Sequence, residues 1–347
     1  IQKKFKVLVI DKDNKLNKDN RTLAVNANST DFLKKLGIWN LLKSPPQPID
    51  KIIIKDDINA KPLIFENDDE TLGNVILNKE IYEIARQKLK NLNILKVDDS
   101  INVSEIYPHK NICINKHNYY FKKIIISIGK SVLSDISHKN IILNDKHFSY
   151  VGFFRHEKDH YNMAYEFFTN AGPLAILPAP ADHKKKSTFI YSSKEKINKI
   201  QLQKLIFNKV IKSHGKLIFD KSLSKFPITP HLTKNNSRFI YIGDSLKSIH
   251  PVAGQGWNLG IKDIQTLCNL LNQYPLDTEN LNSLYYARRF VESAIYLSFT
   301  SVLNFLYESK NTFSTRIIKL GFTGLGKIKL ARDIFIKQAM GRINLID

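Results

Sequence analysis

The chain has 347 residues, of which 43% are hydrophobic and 10% aromatic; that is enough apolar surface to form a core and excludes intrinsic disorder. Its 53 basic against 32 acidic residues give a formal charge of +21. Only nine of the basic residues are arginine and no nucleic-acid module stands out, so no nucleic-acid partner is expected. The excess of Lys, Asn and Ile fits codon bias, with attraction to an anionic membrane surface as the functional alternative.

Two cysteines, Cys113 and Cys268, exclude a disulfide framework and a cysteine zinc site, which fits a reducing cytoplasm. No continuous apolar run reaches the roughly 18 residues of a membrane span, and no signal peptide opens the chain.

In chain order, the run Phe5-Lys6-Val7-Leu8-Val9-Ile10 reads as a buried parallel strand, and Asp11 follows at its end. Residues 28–42 read as a helix with Phe32, Leu33, Leu36 and Trp39 on one face, broken by Ser44-Pro45-Pro46-Gln47-Pro48. A strand is expected near 51–55, an amphipathic helix over 78–92, and a buried strand over 123–129. Between 146 and 231 the pattern changes to strands at 148–155, 163–168, 175–178 and 187–192 joined by polar turns, which predicts a mostly antiparallel sheet. A lysine-rich helix over 194–213 interrupts it. After Asp263 the chain reads as helical, with apolar residues over 285–307 and a mixture of basic and apolar residues over 316–343.

The segment with the most chemistry is 238–263. An apolar strand from Arg238 ends at Gly243-Asp244, a loop with His250, Pro251, Gly254 and Gly256 follows, and a helix begins near Asn258 with Ile261, Ile264, Leu267, Cys268 and Leu271 on its buried face. A carboxylate just past a strand's carboxyl end stands where open α/β sheets bind ligands, and it can accept hydrogen bonds from a polyol. Glycines allow the backbone close to a flat ring, and the free N–H groups of a helix start favour negative charge.

The run Gly243-Asp244, His250-Pro251-Val252-Ala253-Gly254-Gln255-Gly256, Asn258-Leu259-Gly260 and Asp263 resembles the second flavin motif of the aromatic-ring flavin hydroxylases, and more narrowly the ubiquinone-biosynthesis hydroxylases of the 2-octaprenyl-6-methoxyphenol hydroxylase type. Asp19-Asn20-Arg21-Thr22-Leu23-Ala24 resembles the arginine segment after the family's second strand. Glu166-Phe167-Phe168 with Gly172-Pro173-Leu174-Ala175-Ile176-Leu177-Pro178 resembles its substrate-sheet signature, and Ala339-Met340-Gly341 its end.

The resemblance implies an α/β fold: an FAD-binding, Rossmann-like domain lacking its first βα unit, a mostly antiparallel substrate-binding sheet and a helical C-terminal region. The FAD-binding domain would take residues 1–145, with a small substrate-side segment inserted at about 44–75, and residues 232–275; the sheet would be 146–231 and the helical region 276–347. The resemblance further implies that Asp11 binds the adenosine ribose, Arg21 lies near the flavin diphosphate and Asp244 holds the ribityl chain. Pro251, Gly254, Gln255, Gly256 and Asn258 would lie along the isoalloxazine, and Gly172, Pro173, Leu174 and Pro178 on the substrate side. No side chain would be a nucleophile or metal ligand; NAD(P)H would reduce FAD, and a flavin hydroperoxide would hydroxylate the ring of a polyprenyl phenol in ubiquinone biosynthesis. Implied partners are other quinone-biosynthesis proteins and the inner face of the cell membrane, touched peripherally from the cytoplasm.

Two departures from the family pattern matter. By the resemblance the chain would begin just before the second strand and roughly 30 residues holding the Gly-x-Gly-x-x-Gly turn would be missing, which implies weak or no FAD binding by these residues alone. In Ser127-Ile128-Gly129-Lys130-Ser131, Ile128 replaces the usual Asp, although Ser131 and Ser134 partly keep the pattern. These departures favour, as alternatives, a non-catalytic or flavin-deficient member of a quinone-biosynthesis assembly, or a related flavin oxidoreductase acting on another lipid or phenol. His250 reads as an oriented loop histidine ahead of a general base, Trp257 as packing on the flavin ring or on the core, and His156 and His160 as structural rather than metal-binding.

Overall fold

A computed structural model describes residues 4–12, 21–59, 61–98, 111–114, 116–131, 141–142, 147–180, 184–235, 239–251, 254–309 and 311–343. Strand β1 (Val9–Asp11) leads to β2 (Thr22–Asn26) and α1 (Ala27–Lys35). The Asn26 side chain starts α1 by accepting from the Ser29 N–H at 2.9 Å. The helix expected over 28–42 stops at Lys35, because Gly37 takes the left-handed conformation at φ 63°. Leu36 is therefore 47% exposed, while Trp39, in the following 3-10 turn, still packs against Val25 and Leu33.

Next come β3 (Gln47–Ile49), β4 (Lys51–Asp56), β5 (Leu63–Glu66), β6 (Gly73–Leu77), α2 (Asn78–Asn91) and β7 (Leu95–Val97). Strands β2, β6 and β3 form an antiparallel sheet in that order, and β1 pairs with β7 in parallel. The hairpin β8 (Asn111–Ile114) and β9 (His117–Tyr120) precedes β10 (Ile124–Ile126), which is followed by β11 (Ile141–Ile142).

The large sheet is built from β12 (His147–His156), β13 (Met163–Thr169), β14 (Gly172–Pro178), β15 (Lys186–Ser193) and β16 (Leu217–Ile228), with β4 and β5 at its other edge. Its order is β16-β12-β15-β14-β13-β4-β5, antiparallel except for the parallel β13–β4 pair. Strand β14 is buried throughout, as a continuous apolar run in mid-sheet requires. One face packs Phe154, Tyr165, Leu174 and Ile176 against Leu202, Ile206 and Val210 of α3 (Lys199–His214). Each such fully buried side chain contributes about 1.5–3 kcal/mol. The helix begins at Lys199, later than the expected 194, because Asn198 and Gln201 form a reciprocal capping box. The opposite face, with Ala164, Phe168 and Leu177, packs toward α1 and the C-terminal helices.

Strand β17 (His231–Leu232) joins β11 and β19 (Lys247–Ser248) in a small antiparallel sheet, and β18 (Phe239–Tyr241) pairs in parallel with β10. Four helices complete the chain: α4 (Gln255–Gln273), α5 (Leu281–Glu308), α6 (Thr312–Lys327) and α7 (Lys329–Ala339). Among the described residues, α5 alone is long and apolar enough to cross a membrane by length and composition, although the sequence shows no continuous apolar run there. One side of α5 is built into the protein, with Arg289, Glu292, Thr300 and Asn304 all buried.

Candidate functional site

Strand β18 is buried along its whole length and ends in a 3-10 turn, Gly243–Ser245, at the carboxyl end of the parallel β10–β18 pair. Gly243 has φ 58°, and a Cβ built on it would meet nothing within 4 Å, so the turn faces open space. The next side chain, Asp244, is exposed, and among the described residues its carboxylate makes no hydrogen bond or ion pair. Its main chain is held instead: the Asp244 carbonyl faces His231 Nε2 at 3.0 Å, while Nδ1 of the same ring faces the Thr229 carbonyl at 3.1 Å. Burial pushes the His231 imidazole below its usual range, against these two carbonyls.

The loop returns through Pro251 to α4, which starts at Gln255, three residues before the expected Asn258. Gly254 precedes it at φ 61° in the left-handed conformation, and a Cβ there would come within 3.0 Å of the Ala24 Cβ. Gln255 and Gly256 are half-buried in the first turn, and the space at Gly256 is open. The Asn258 side chain also has partners within the chain. Its Oδ1 accepts from the Asn26 N–H at 3.0 Å and its Nδ2 donates to the Ala24 carbonyl at 2.9 Å, so the side chain ties the start of α4 to β2. Trp257 packs on the Val25, Leu33 and Ile76 cluster.

A buried charge network fixes this turn from behind. Asp263 on α4 is 0% exposed and accepts from the Gly243 N–H at 2.9 Å, from Lys247 Nζ at 2.6 and 2.7 Å, and from Arg289 Nε at 2.7 Å. Glu292 pairs with Arg289 and, at 2.6 Å, with Lys262. Burial pushes the Lys247 ammonium down while Asp263 opposes that shift. The sequence reading missed Lys247, Arg289 and Glu292. Their only signal was a carboxylate, Asp263, on the apolar face of a helix, where an unpaired charge is not tolerated.

Asp11 stands at the end of β1, as expected, and is ion-paired with the buried Arg86 of α2. Arg21 lies with its guanidinium 4.4 Å from the centre of the Phe226 ring. Ile128 packs against the core that contains Ile126, Leu232 and Phe239. Of the substrate-sheet residues, Gly172 has φ 123° and its missing Cβ would lie 1.9 Å from the Ser192 carbonyl, so only glycine fits. Strand alternation then separates the others. Leu174 packs into the α3-covered core with Ile176, whereas Pro173 has the opposite orientation, shared with Leu177 toward α1 and α7; Pro178 is buried at the strand end. The residues named on sequence grounds thus do not all share one face. Asp19, Asn20, Ser134, Arg238, Val252 and Ala253 lie outside the described residues.

No protein-family model matches the chain. It is similar to the ubiquinone hydroxylase UbiL of Rhodospirillum rubrum, 26% identical over 208 residues, covering 55% of this chain and 47% of that relative. The chain thus spans about half the length of that relative. It is also similar to the mitochondrial ubiquinone biosynthesis monooxygenase COQ6 of Caenorhabditis elegans, 22% identical over 332 residues, covering 80% of this chain and 73% of the relative. Among solved structures, the p-nitrophenol 4-monooxygenase PnpA of Pseudomonas putida superposes with a TM-score of 0.70 at 11% identity, over 96% of this chain and 91% of that one. The probable FAD-dependent monooxygenase pqsL of Pseudomonas aeruginosa gives 0.65 at 13% identity, over 88% and 91%. The fold is the mixed α/β fold of the FAD-dependent aromatic monooxygenases, with a large mixed sheet and a helical C-terminal region.

Proposed function

We propose that the chain is an FAD-dependent monooxygenase that hydroxylates the aromatic ring of a polyprenyl phenol in ubiquinone biosynthesis, with NAD(P)H as reductant and O2 as oxygen source. The observation that carries the reading is the exposed carboxylate of Asp244 on the open Gly243 turn, which among the described residues accepts no hydrogen bond, ahead of the left-handed glycine that starts α4. A carboxylate so placed suits the hydroxyls of a ribityl chain, and the open positions at Gly243 and Gly256 leave room for a planar ring. The residues present therefore fit FAD. The sequence similarity to ubiquinone hydroxylases and monooxygenases supports the substrate class.

In this reading Asp11, oriented by Arg86, would accept from the adenosine ribose; Arg21 would face the diphosphate and Asp244 the ribityl chain. Pro251, Gly254, Gln255, Gly256 and Asn258 would border the isoalloxazine, and the Asn258 amide would also hold their turn against β2. When bound, FAD would supply the redox chemistry, accepting hydride from NAD(P)H and activating O2 for ring hydroxylation. The protein's share is positioning and exclusion of water: Pro173 and Leu177 on the inner sheet face would close one side of the ring site. The exposed apolar side of α5 and α6 would rest on the inner face of the cell membrane, where a prenylated substrate dissolves, and other quinone-biosynthesis proteins would meet it there.

Titration of riboflavin and FAD with the full chain, at protein concentrations high enough to register weak binding, tests the reading. Quenching of flavin fluorescence by the wild type and its loss in Asp244→Ala is the expected result. Equal flavin binding by the wild type and Asp244→Ala overturns it.

A further inference from the structure

Helix α5 grips the candidate flavin turn at two places. Near its start, Tyr285 Oη donates to the Tyr241 carbonyl at 2.9 Å, at the end of β18. One turn on, Arg289 Nε donates to Asp263, whose other oxygen accepts from the Gly243 N–H at 2.9 Å. At the last residue of the helix, Glu308 Oε1 lies 2.8 Å from His147 Nε2, and the His147 ring meets the His250 ring edge to face. Residues 241–250 are thus fastened at both ends to one helix, at points roughly 28 Å apart along its axis at about 1.5 Å per residue. Tyr285, Arg289, Asp263, His147 and His250 are each no more than 2% exposed, so solvent does not compete for these contacts. The opposite side of α5, between the two grips, carries Ile295, Phe299, Val302 and Phe305, all exposed, while Leu297, Thr300 and Asn304 on the gripping side are buried.

We propose that α5 couples its exposed apolar side to the flavin turn, so that an anionic bilayer seated on Ile295, Phe299, Val302 and Phe305 orders residues 241–250 and tightens flavin binding there. Contact on the outer side restrains the helix, and the buried fastenings, which do not part cheaply, carry the restraint to the turn. Ordering lost to the bilayer is not lost again to the flavin, and linkage makes the effect mutual. The charge of +21, with exposed Arg316 and Lys319 on the neighbouring α6, favours an anionic bilayer as the occupant. The proposal deepens the reading given above and rests on it for the two ligands.

The experiment follows amide hydrogen exchange of the full chain by mass spectrometry, alone and with phosphatidylglycerol vesicles. It compares wild type, the Phe299→Ser/Phe305→Ser double variant, His147→Leu and the milder Glu308→Gln, with circular dichroism as the check on folding. Expected is exchange over 241–250 slowed about fivefold or more by vesicles in the wild type, with α3, on the far face of the large sheet, unchanged. The double variant should lose this protection together with vesicle binding. His147→Leu, and more weakly Glu308→Gln, should still bind vesicles yet lose the protection near His250. Where riboflavin binds, vesicles should tighten it, and riboflavin should tighten vesicle binding by the same factor. Vesicle binding that leaves 241–250 unprotected, protection retained in both His147→Leu and Glu308→Gln, or equal riboflavin affinity with and without vesicles overturns the proposal, as does a wild type that binds no vesicles. Protection of the turn in a chain that takes up no flavin upholds the coupling and counts against the flavin reading alone.

Discussion

The ring of His250, in the loop before α4, meets the ring of His147 edge to face, with centroids 4.7 Å apart and planes at 85°. His147 opens β12 and presents its Nε2 to Glu308 at 2.8 Å, at the far end of α5. Glu308 also accepts from Lys194 at 2.5 Å. One buried imidazole pair therefore ties the candidate flavin loop, the large sheet and the longest described helix together, which agrees with reading His250 as an oriented loop residue.

Burial works to raise the Glu308 carboxyl, but the hydrogen bonds from His147 and Lys194 win and hold it below the usual range. A depressed carboxylate stabilises the fold above its unfolded pKa and ceases to do so as pH falls through the folded value. Glu308→Gln should therefore cost about 1–2 kcal/mol in urea denaturation at pH 7, and the loss should shrink in acid. Equal midpoints for wild type and variant at pH 7 would contradict this.

The buried network behind the Gly243 turn has an uneven charge count. Among the described residues Lys247, Arg289 and Lys262 pair only with Asp263 and Glu292, so removing a carboxylate enlarges the imbalance and removing a cation reduces it. Asp263→Asn should cost about 3–5 kcal/mol, whereas Lys247→Met, which fills the same space with apolar atoms, should cost clearly less. Denaturation midpoints of the two variants check the order; Lys247→Met as the more damaging change would refute the argument.

Much of this was legible from residue order and some was not. Period and turn chemistry located α2, the strands of the large sheet and the strand–turn–helix from β18 to α4, because each depends on neighbours within a few residues. The end of α1 is hidden from residue order because the apolar spacing continues to Trp39, while Gly37 takes the left-handed conformation that stops the helix. The site was legible as a motif and not as a set of partners. Asn258 carries a motif position, yet its amide bonds β2 some 230 residues earlier, and Lys130 meets Pro227 only through tertiary folding. Buried pairs such as Lys247–Asp263 leave no periodic trace, since hydropathy registers a charge and not its partner.

Gly172 provides a steric test. Its φ of 123° and the 1.9 Å approach of the Ser192 carbonyl to a would-be Cβ make any side chain intolerable without a shift of β14 against β15. Gly172→Ala should cost about 3 kcal/mol or yield no soluble folded protein. A variant as stable as wild type by thermal denaturation would show that the β14 register is softer than drawn.

Three imidazoles cluster beneath the α3-covered face. His214 lies 4.7 Å from His156, ring to ring, and His156 lies 6.1 Å from His160. Burial first, and then the fields of His156 and His160, push His214 down to about 3. A histidine depressed in the folded state contributes its full stability above the unfolded pKa near 6.5 and loses it progressively as pH falls toward 3. Stability should therefore fall on acidification through this window, by on the order of 3–5 kcal/mol from His214. His214→Phe should flatten that slope, measured as urea midpoint against pH; an unchanged slope would place the acid sensitivity elsewhere.

The outer side of α5 is apolar where a soluble helix would carry charge. Ile295, Phe299, Val302 and Phe305 are 47%, 54%, 55% and 63% exposed, and Phe313 and Leu320 on α6 are 70% and 73% exposed. Exposed Arg316 and Lys319 lie among them. An apolar strip rimmed by cations, on a chain of formal charge +21, matches an anionic bilayer surface better than a second copy of the same charge. The chain should float with phosphatidylglycerol vesicles, bind phosphatidylcholine vesicles far less, and lose the interaction at high salt. Because Phe299 and Phe305 are already exposed, replacing both with serine should leave folding intact and weaken vesicle binding about tenfold or more. Undiminished flotation of that double variant, or no flotation of the wild type, would leave the apolar strip without a membrane role and point to a protein partner for the same face.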